Sequence, residues 1–329
     1  MTFLKEDETI YVAGSSGMVG NAICNLLLKN GYNYENKKLL TSSRKDLDLL
    51  ENIKVDEWFK KNKPNVVIIA AAKVGGIMAN KLYPVEFLID NIKIQNNLIE
   101  ASYKFGVKRL LFLGSSCIYP KFSRQPIKEK YLLTGELEST NESYAIAKIA
   151  GLKLCQSYRN QYNFDAISLM PTNLYGPKDN YHPNNSHVMA ALIRKFYEAK
   201  IKDLKSVTCW GSGNPLREFL YVDDFAEACL HVLRHWSPDK DNSPKDSNGK
   251  KLNWLNVGSD YEISIKDLSK KISEIIEFKG EIIWDKNRPD GTPRKKLDNK
   301  FIKKIGWEAT TDLETGIRQT INSLKYERI

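Results

Sequence analysis

The stretch TIYVAGSSGMVG, residues 9–20, joins a short β-branched run to a glycine-rich turn and then to an amphipathic segment. Gly14, Gly17 and Gly20 stand in G-x-x-G-x-x-G spacing within it. Glycines at these places permit a tight turn and let the backbone approach a pyrophosphate at a helix N-terminus. Because the pattern lies between a predicted strand and a predicted helix, it indicates a dinucleotide-binding βαβ unit.

Outward from this unit, further β-branched runs alternate with helical patterns. The alternation predicts an α/β fold, a Rossmann doubly wound parallel sheet. The predicted strands are 9–13, 38–42, 66–70, 109–114 and 165–169. In the strand order 3-2-1-4-5 we expect the first and fourth strands to be neighbours, so that residues following them share one crevice.

The second half of the chain has a less regular pattern. Only 218–222 and 252–257 still read as strands there. We therefore predict a Rossmann domain over 1–172 that binds the cofactor, with returning segments near 215–260. The remainder, 173–329, is predicted to form a smaller, partly discontinuous α/β lobe that binds the substrate.

Composition excludes several classes of protein. The 42% hydrophobic and 27% charged residues are those of an ordinary globular chain. The N-terminus has no apolar core and no run approaches a membrane span, so we expect no membrane association and a cytoplasmic location. The net charge of +10 is spread mostly over lysines with acids interleaved, which predicts no nucleic-acid partner.

The five cysteines and four histidines do not form a metal-binding pattern. No C-x-x-C pair occurs among the cysteines, and the histidines do not combine with them at ligand spacing. We therefore predict neither disulfides nor a metal site.

The end of the second predicted strand bears on the choice of cofactor. An acid there would hold the ribose 2′-hydroxyl of NAD, whereas an arginine accommodates the 2′-phosphate of NADP. Here the run 41–44 is Thr-Ser-Ser-Arg, and the first acid is Asp46. Arg44 thus favours NADP(H).

A second constellation indicates carbonyl chemistry. Tyr144 and Lys148 form Y-x-x-x-K within a helical pattern, so they share one face. An ammonium beside a phenol favours the phenolate and brings the tyrosine into range for proton transfer. Ser115 follows the fourth predicted strand. We expect Ser115 to polarise a carbonyl oxygen, Tyr144 to supply the proton, and Lys148 to hold the cofactor ribose during hydride transfer.

Six longer stretches extend these motifs into a family resemblance. They are AAAKVGGIMAN (70–80), LGSSCIYPK (113–121), ESYAIAKIAG (142–151), MPTNLYGPKDNYHPNNSHV (170–188), WGSGNPLREFLYVDD (210–224) and PDGTPRK (289–295). In order and spacing, over nearly the whole chain, they resemble the GDP-L-fucose synthases of the extended short-chain dehydrogenase/reductase family. The resemblance implies NADPH-dependent C3/C5 epimerisation and C4 reduction of GDP-4-keto-6-deoxy-D-mannose, in a homodimer built through a helix bundle.

The resemblance also assigns an acid and a base for the epimerisation, Cys117 and His187. The 4-keto group acidifies the C–H bonds at C3 and C5, and inversion needs two groups that exchange protons near neutral pH. Thiol and imidazole both have suitable pKa values.

The remaining contacts are likewise implied by the resemblance. The expected cofactor contacts are Gly14, Ser15, Ser16, Gly17, Met18, Val19, Gly20, Arg44, Leu113, Gly114, Ser116, Lys148, Pro171, Thr172, Asn173, Leu174 and His187. The expected substrate contacts are Lys195, Trp210, Arg217 and Asp290. Ser16 and Lys195 stand where the family often has arginine, which leaves the 2′-phosphate to Arg44 and removes one bidentate fork from the diphosphate site.

Other functions remain open at this stage. The chain could act on another GDP-4-keto sugar such as a heptose, or reduce without epimerising, although retention of Cys117 and His187 argues against reduction alone. A non-catalytic NADP-binding module is the alternative from another class. Such a module would be expected to lose Tyr144 or Lys148.

Overall fold

A computed structural model describes residues 3–183, 185–241, 243–288 and 290–326. The strands are β1 (Ile10–Ala13), β2 (Leu39–Thr41), β3 (Val66–Ile69), β4 (Arg109–Leu113), β5 (Ala166–Pro171), β6 (Asn173–Tyr175), β7 (Ser206–Trp210), β8 (Leu216–Tyr221), β9 (Trp254–Val257), β10 (Glu262–Ser264), β11 (Glu281–Asp285) and β12 (Arg294–Lys295). The α-helices are α1 (Met18–Lys29), α2 (Asn52–Asn62), α3 (Ile77–Leu82), α4 (Pro84–Lys104), α5 (Glu142–Tyr162), α6 (Val188–Ile201), α7 (Val222–His235), α8 (Ile265–Ile276), α9 (Lys300–Lys304) and α10 (Leu313–Tyr326). Asn184 and Pro289, each within a quoted motif, lie outside the described residues, as do 1–2 and 327–329.

The central element is a six-stranded sheet in the order β2-β1-β3-β4-β5-β9, in which every pair is parallel. Strands β1, β3, β4, β5 and β9 are buried along their whole length. Burial on both faces explains why these strands read as continuous apolar runs instead of alternating ones. The predicted doubly wound parallel sheet is confirmed.

The predicted strand order is wrong in one respect. β1 pairs with β2 and β3, whereas β4 pairs with β3 and β5, so β1 and β4 are not neighbours. The order 3-2-1-4-5 requires two successive strands on the same side of β1. Here residues 42–51 form turns, and the chain returns through α2 to the other side of β1. The reversal therefore falls between β1 and β3.

Helices cover both faces of this sheet. One apolar core packs α1 and α7 against the sheet, and a second packs α2, α4 and α5 against the opposite face. α7 and β9 come from the second half of the chain, so that half contributes both a layer helix and an edge strand to the Rossmann sheet.

A smaller set of strands lies beyond β5. β8 pairs with β10, β12 and β6, and β7 pairs with β11. A third core packs α6, α8 and α10 against these strands. The predicted strand over 218–222 thus lies in this smaller sheet, whereas the one over 252–257 joins the central sheet.

Across the part of the chain that the structure describes, no helix is long and apolar enough to cross a membrane.

Candidate active site

The turn after β1 approaches its neighbours too closely for any side chain. Gly14 has φ +87°, and a Cβ there would lie 2.6 Å from the Ala71 nitrogen. A Cβ on Gly20 would lie 2.1 Å from the Gly14 carbonyl oxygen. Gly17 caps α1 without a side chain, which leaves the first N–H groups of the helix for an anion. This cradle fits the pyrophosphate of a dinucleotide.

Beside the cradle is a pocket of about 330 Å³. Its lining is Ser15, Ser16, Asn21, Cys24, Asn25, Tyr34, Thr41, Ser42, Ser43 and Asp46. The Asp46 carboxylate accepts from the Ser43 backbone N–H at 3.3 Å and from its hydroxyl at 2.5 Å, so it is engaged within the turn. Arg44 is exposed on the same turn.

The segment after β4 carries two of the predicted catalytic residues. Ser115 begins a short 3-10 turn over 116–118, and its Oγ accepts from the Cys117 N–H at 3.3 Å. Cys117 is buried within that turn. A Cβ on Gly114 would lie 2.3 Å from the sulfur of the buried Met170 side chain, which would have to move to admit a larger residue.

Helix α5 brings the Y-x-x-x-K pair to the same place. The Lys148 Nζ lies 5.8 Å from the centroid of the Tyr144 ring and donates to the Leu113 carbonyl oxygen at 2.8 Å. That bond ties α5 to the end of β4, directly before Ser115. The Phe87 ring packs edge-on against Tyr144, with centroids 6.4 Å apart. Tertiary packing thus assembles Ser115, Cys117, Tyr144 and Lys148.

Burial sets the protonation states of this group. It lowers the pKa of Lys148 to about 8, and the nearby Cys117 opposes that shift. It raises the pKa of Tyr144 above its ordinary value, and Cys117 adds to the rise. It also raises the pKa of Cys117, against the smaller opposing effects of Lys295, Ser115 and Lys148. Tyr144 and Cys117 are consequently proton donors at neutral pH.

His187 enters the site from the smaller set of strands and helices, as the N-cap residue of α6. The residue as a whole is exposed. Desolvation of the imidazole by the surrounding protein, followed by the charge of Lys295, lowers its pKa. His187 is therefore neutral at pH 7 and able to accept a proton. The neutral His187 imidazole and the Cys117 thiol therefore both lie within the influence of one cation, Lys295.

Sequence reasoning gave no role to Lys295 or Glu138. Lys295 lies on β12 in register with Arg217 on β8, and its charge acts on both Cys117 and His187. Glu138 accepts from Lys121 at 2.9 Å and from the Thr292 hydroxyl at 3.4 Å. The position of Lys295 at the end of the quoted motif PDGTPRK could have indicated a role for it. Glu138 lies in none of the quoted motifs, and only its contacts in the folded protein point to it.

The predicted substrate residues form two groups. The Lys195 Nζ lies 5.2 Å from the Trp210 ring centroid, and the Arg288 guanidinium lies 5.0 Å from it. Trp210 is 42% exposed, so it is a surface platform and not a core residue. Asp290 accepts from the backbone N–H and the hydroxyl of Ser212 at 2.7 and 2.8 Å. Burial lowers the pKa of Arg217, and the negative charges of Glu138 and Asp290 oppose that shift.

Among the remaining predicted cofactor residues, the side chains of Thr172 and Asn173 donate to the Glu218 carbonyl oxygen, at 3.1 and 2.8 Å. Those side chains are anchored within the protein. Leu113 serves through its carbonyl, which holds Lys148. Pro171 ends β5, and Leu174 lies on β6. Ser116 is buried in the 3-10 turn, and Met18 and Val19 form the start of α1. In the described ranges, no group of three or more His, Cys, Asp or Glu is placed to hold a metal ion.

Comparison with known proteins gives a consistent result. The sequence profile of the NAD dependent epimerase/dehydratase family matches residues 10–247. GDP-L-fucose synthase 1 of Arabidopsis thaliana is 49% identical over 311 residues, which cover 94% of this chain and 91% of that protein. A GDP-6-OMe-4-keto-L-xylo-heptose reductase from C. jejuni superposes with a TM-score of 0.89 at 33% identity, covering 99% of both chains. A GDP-L-fucose synthetase from Naegleria fowleri bound to NADP superposes with a TM-score of 0.83 at 28% identity, covering 99% of this chain and 97% of that one.

Proposed function

This chain belongs to the NAD dependent epimerase/dehydratase family, and from that premise we propose that it converts GDP-4-keto-6-deoxy-D-mannose to GDP-L-fucose with NADPH. The observation that carries the proposal is the assembly of Ser115, Tyr144 and Lys148 in one place. Cys117 joins them because it lies in the 3-10 turn that Ser115 begins. The first three residues suit reduction of a ketone. Cys117 and His187 add the proton transfers that inversion of the neighbouring carbons requires.

The epimerisation uses the acidity that the C4 ketone confers on C3 and C5. One of Cys117 and His187 removes the proton, the C–H electrons form a double bond to C4, and the π electrons of the C4 carbonyl move onto its oxygen. Ser115 and Tyr144 stabilise that oxygen by hydrogen bonds. The other residue then returns a proton to the opposite face of the carbon. The starting pair, a protonated thiol and a neutral imidazole, supplies one donor and one acceptor without net charge.

The reduction completes the reaction. NADPH, bound at the glycine cradle, would supply the hydride for C4. Tyr144 protonates the resulting oxygen, and its raised pKa keeps that proton available at neutral pH. Lys148, fixed by the Leu113 carbonyl, binds the cofactor ribose and stabilises the phenolate left on Tyr144.

Three observations support NADPH over NADH. Arg44 is exposed on the turn after β2, where it can meet a 2′-phosphate. Oδ2 of Asp46 is already hydrogen-bonded to the N–H and hydroxyl of Ser43, which leaves one of its two oxygens for a ribose 2′-hydroxyl. A relative of known structure, the Naegleria fowleri synthetase, was solved with NADP.

The second half of the chain supplies the groups that a GDP-sugar needs. Arg217 and Lys295 are adjacent cations on paired strands, which suits a diphosphate. Trp210 offers an exposed aromatic face flanked by Lys195, which suits a nucleoside base. The Asp290 carboxylate accepts a hydrogen bond from the Ser212 N–H, and this bond fixes the loop that leads into Lys295. We accordingly retain the division into a cofactor-binding part, 1–172 with returning segments near 215–260, and a substrate-binding part in the remainder of 173–329.

The assembly and location follow from the same proposal. Val85 and Ile89 on α4 and Ile146 on α5 are exposed apolar residues, and the two helices pack together. We propose that this surface pairs with its copy in a homodimer. The proposed enzyme is cytoplasmic, and its partner is the GDP-sugar, with no nucleic acid or membrane.

A GDP-4-keto-heptose is the second candidate substrate, because a structural relative at TM-score 0.89 is a heptose reductase. The 49% identity to a GDP-L-fucose synthase favours the 6-deoxyhexose. The ratio of kcat/KM on the two substrates decides between them: a preference for the heptose would overturn our assignment.

The decisive experiment is incubation with GDP-4-keto-6-deoxy-D-mannose and NADPH in deuterated water. We expect oxidation of NADPH and deuterium at both C3 and C5 of the product. Oxidation without deuterium would show a 4-reductase only. An absence of oxidation with this substrate and with the heptose would indicate a non-catalytic NADP-binding module.

A further inference from the structure

The motif AAAKVGGIMAN (70–80) has no chemistry assigned to it above, yet it contacts the segment that carries His187. It runs from the end of β3 into α3, and Gly76 is the N-cap residue of α3, with an extended backbone. The Gly76 N–H donates to the Asn185 carbonyl oxygen at 2.9 Å. A Cβ on Gly76 would lie 2.4 Å from the Ser186 carbonyl oxygen. Only glycine lets the two backbones approach this closely.

The Gly75–Gly76 segment is hydrogen-bonded to a buried side chain. The Asn80 amide donates to the carbonyl oxygens of Gly75 and Gly76, at 2.8 and 3.1 Å. A Cβ on Gly75 would lie 3.1 Å from the Phe87 ring, which packs against Tyr144. Gly75 thus lies between Phe87 and the Asn185 backbone, and Gly76 lies against the Ser186 backbone.

Asn185 and Ser186 directly precede His187, the N-cap residue of α6. Cys117 and Tyr144 belong to the central sheet and its helices, whereas His187 comes from α6 in the smaller part. Contact between residues 76 and 185–186 is a direct backbone link between the two parts, next to the imidazole.

We propose that Gly76 is a positioning residue that sets the place of His187 relative to Cys117 and the sugar. The inference rests on the proposed function of His187 in epimerisation. A methyl group at position 76 must move from 2.4 Å to the ordinary contact distance of 3.4 Å from Ser186, a displacement of about 1 Å. Displacements of that size at a reacting group lower rates on the order of 100-fold.

The test is the exchange of solvent deuterium into C3 and C5 of the substrate, measured without NADPH so that it reports the proton transfers alone. For Gly76→Ala we expect a 10- to 100-fold slower exchange, with the NADPH dissociation constant unchanged within about twofold. Gly135→Ala is the matched control, because a Cβ at Gly135 meets only ordinary contacts, the nearest at 3.4 Å. Its exchange rate should stay at the wild-type value.

A double variant separates positioning from a general structural effect. In a His187→Asn background, Gly76→Ala should cause less than about a twofold further loss, because it acts through a side chain that is no longer there. Losses that multiply would overturn the inference. Wild-type protein that exchanges, together with a Gly76→Ala variant that exchanges equally fast, would overturn the inference alone. Wild-type protein without exchange would overturn the proposed function and this inference with it.

Asn80→Ala provides a second approach if Gly76→Ala does not fold. It keeps both glycines but removes the two hydrogen bonds that hold their carbonyls. We expect a smaller loss of exchange, about 3- to 10-fold, in protein whose circular dichroism is that of the wild type. Unchanged exchange in folded Asn80→Ala would contradict the proposal.

Discussion

Lys148 is buried, with 4% of its surface exposed, and its ammonium donates to the Leu113 carbonyl. A buried cation is unfavourable without a charged partner. In the proposed enzyme that unfavourable energy is offset when the cofactor ribose and the phenolate of Tyr144 provide further acceptors. Burial of the Lys148 ammonium is therefore explained by its role in the proposed reaction and not by the stability of the fold.

The lowered pKa of Lys148 predicts a particular pH dependence of stability. The unfolded chain binds this proton up to pH 10.5 and the folded protein only to about pH 8. The free energy of unfolding therefore gains, from this residue, up to about 1.4 kcal/mol per pH unit between these values. At pH 7 we expect Lys148→Met to be more stable than the wild type. The difference between their free energies of unfolding, called the gap below, should narrow by about 3 kcal/mol towards pH 10.5.

Urea denaturation of wild type and variant from pH 7 to pH 10 measures this gap. Lys60→Met, which replaces an exposed lysine on α2, serves as the control, and its gap should stay constant. A pH-independent gap for Lys148→Met would show that the ammonium is not destabilised by burial.

Cys117 predicts a separable loss of one partial reaction. A serine hydroxyl is a far weaker acid than a thiol and a poor general acid–base catalyst near neutral pH, so Cys117→Ser should slow deuterium exchange at C3 and C5 at least about 100-fold. NADPH affinity should change by less than about twofold. Cys155→Ser, at another buried cysteine, on α5, should retain wild-type exchange in folded protein. Full exchange in Cys117→Ser would exclude a proton-transfer role for this thiol.

At the scale of elements, the cofactor cradle depends on how closely α1 approaches the turn after β1. A Cβ on Gly20 would lie 2.1 Å from the Gly14 carbonyl oxygen, so Gly20→Ala should push the helix N-terminus away from the turn. We expect NADPH affinity to fall at least about tenfold, or about 1.4 kcal/mol. Fluorescence titration with NADPH measures the change.

Gly31→Ala is the control for Gly20→Ala. Gly31 has φ +84° with no atom within 4 Å of a Cβ, so alanine there brings backbone strain of about 1–2 kcal/mol without a clash. Stability should fall while NADPH affinity stays at the wild-type value. Equal affinities for Gly20→Ala and the wild type would contradict the pyrophosphate site at α1.

The order of the strands shows what periodicity does not determine. Each strand of the central sheet was evident as a short apolar run, yet the neighbours of β1 were not. Neighbours depend on the side of β1 to which the chain returns after α2, and that is set by packing of the whole layer. The active-site crevice nevertheless forms, since parallel strands place their carboxyl ends at one edge of the sheet.

At the scale of the whole molecule, α4 and α5 present apolar residues to solvent in the single chain. If they form the proposed dimer interface, glutamate at Ile89 and at Ile146 places carboxylates in an apolar contact. We expect the double variant to be monomeric by light scattering at concentrations where the wild type is dimeric. Ile283→Glu, at an exposed apolar position of β11, should remain dimeric. A monomeric wild type would contradict the proposed homodimer.

Local sequence patterns were enough to predict the class of fold and to identify most of the candidate residues. Glycine spacing, Y-x-x-x-K and apolar runs are local, because they report backbone conformations and faces of single elements. Tertiary structure decided which strands are neighbours, that Lys295 stands near both Cys117 and His187, and that Gly76 contacts the segment before His187. These relations join residues far apart in the chain, and burial and Coulomb interactions depend on distances that only packing sets.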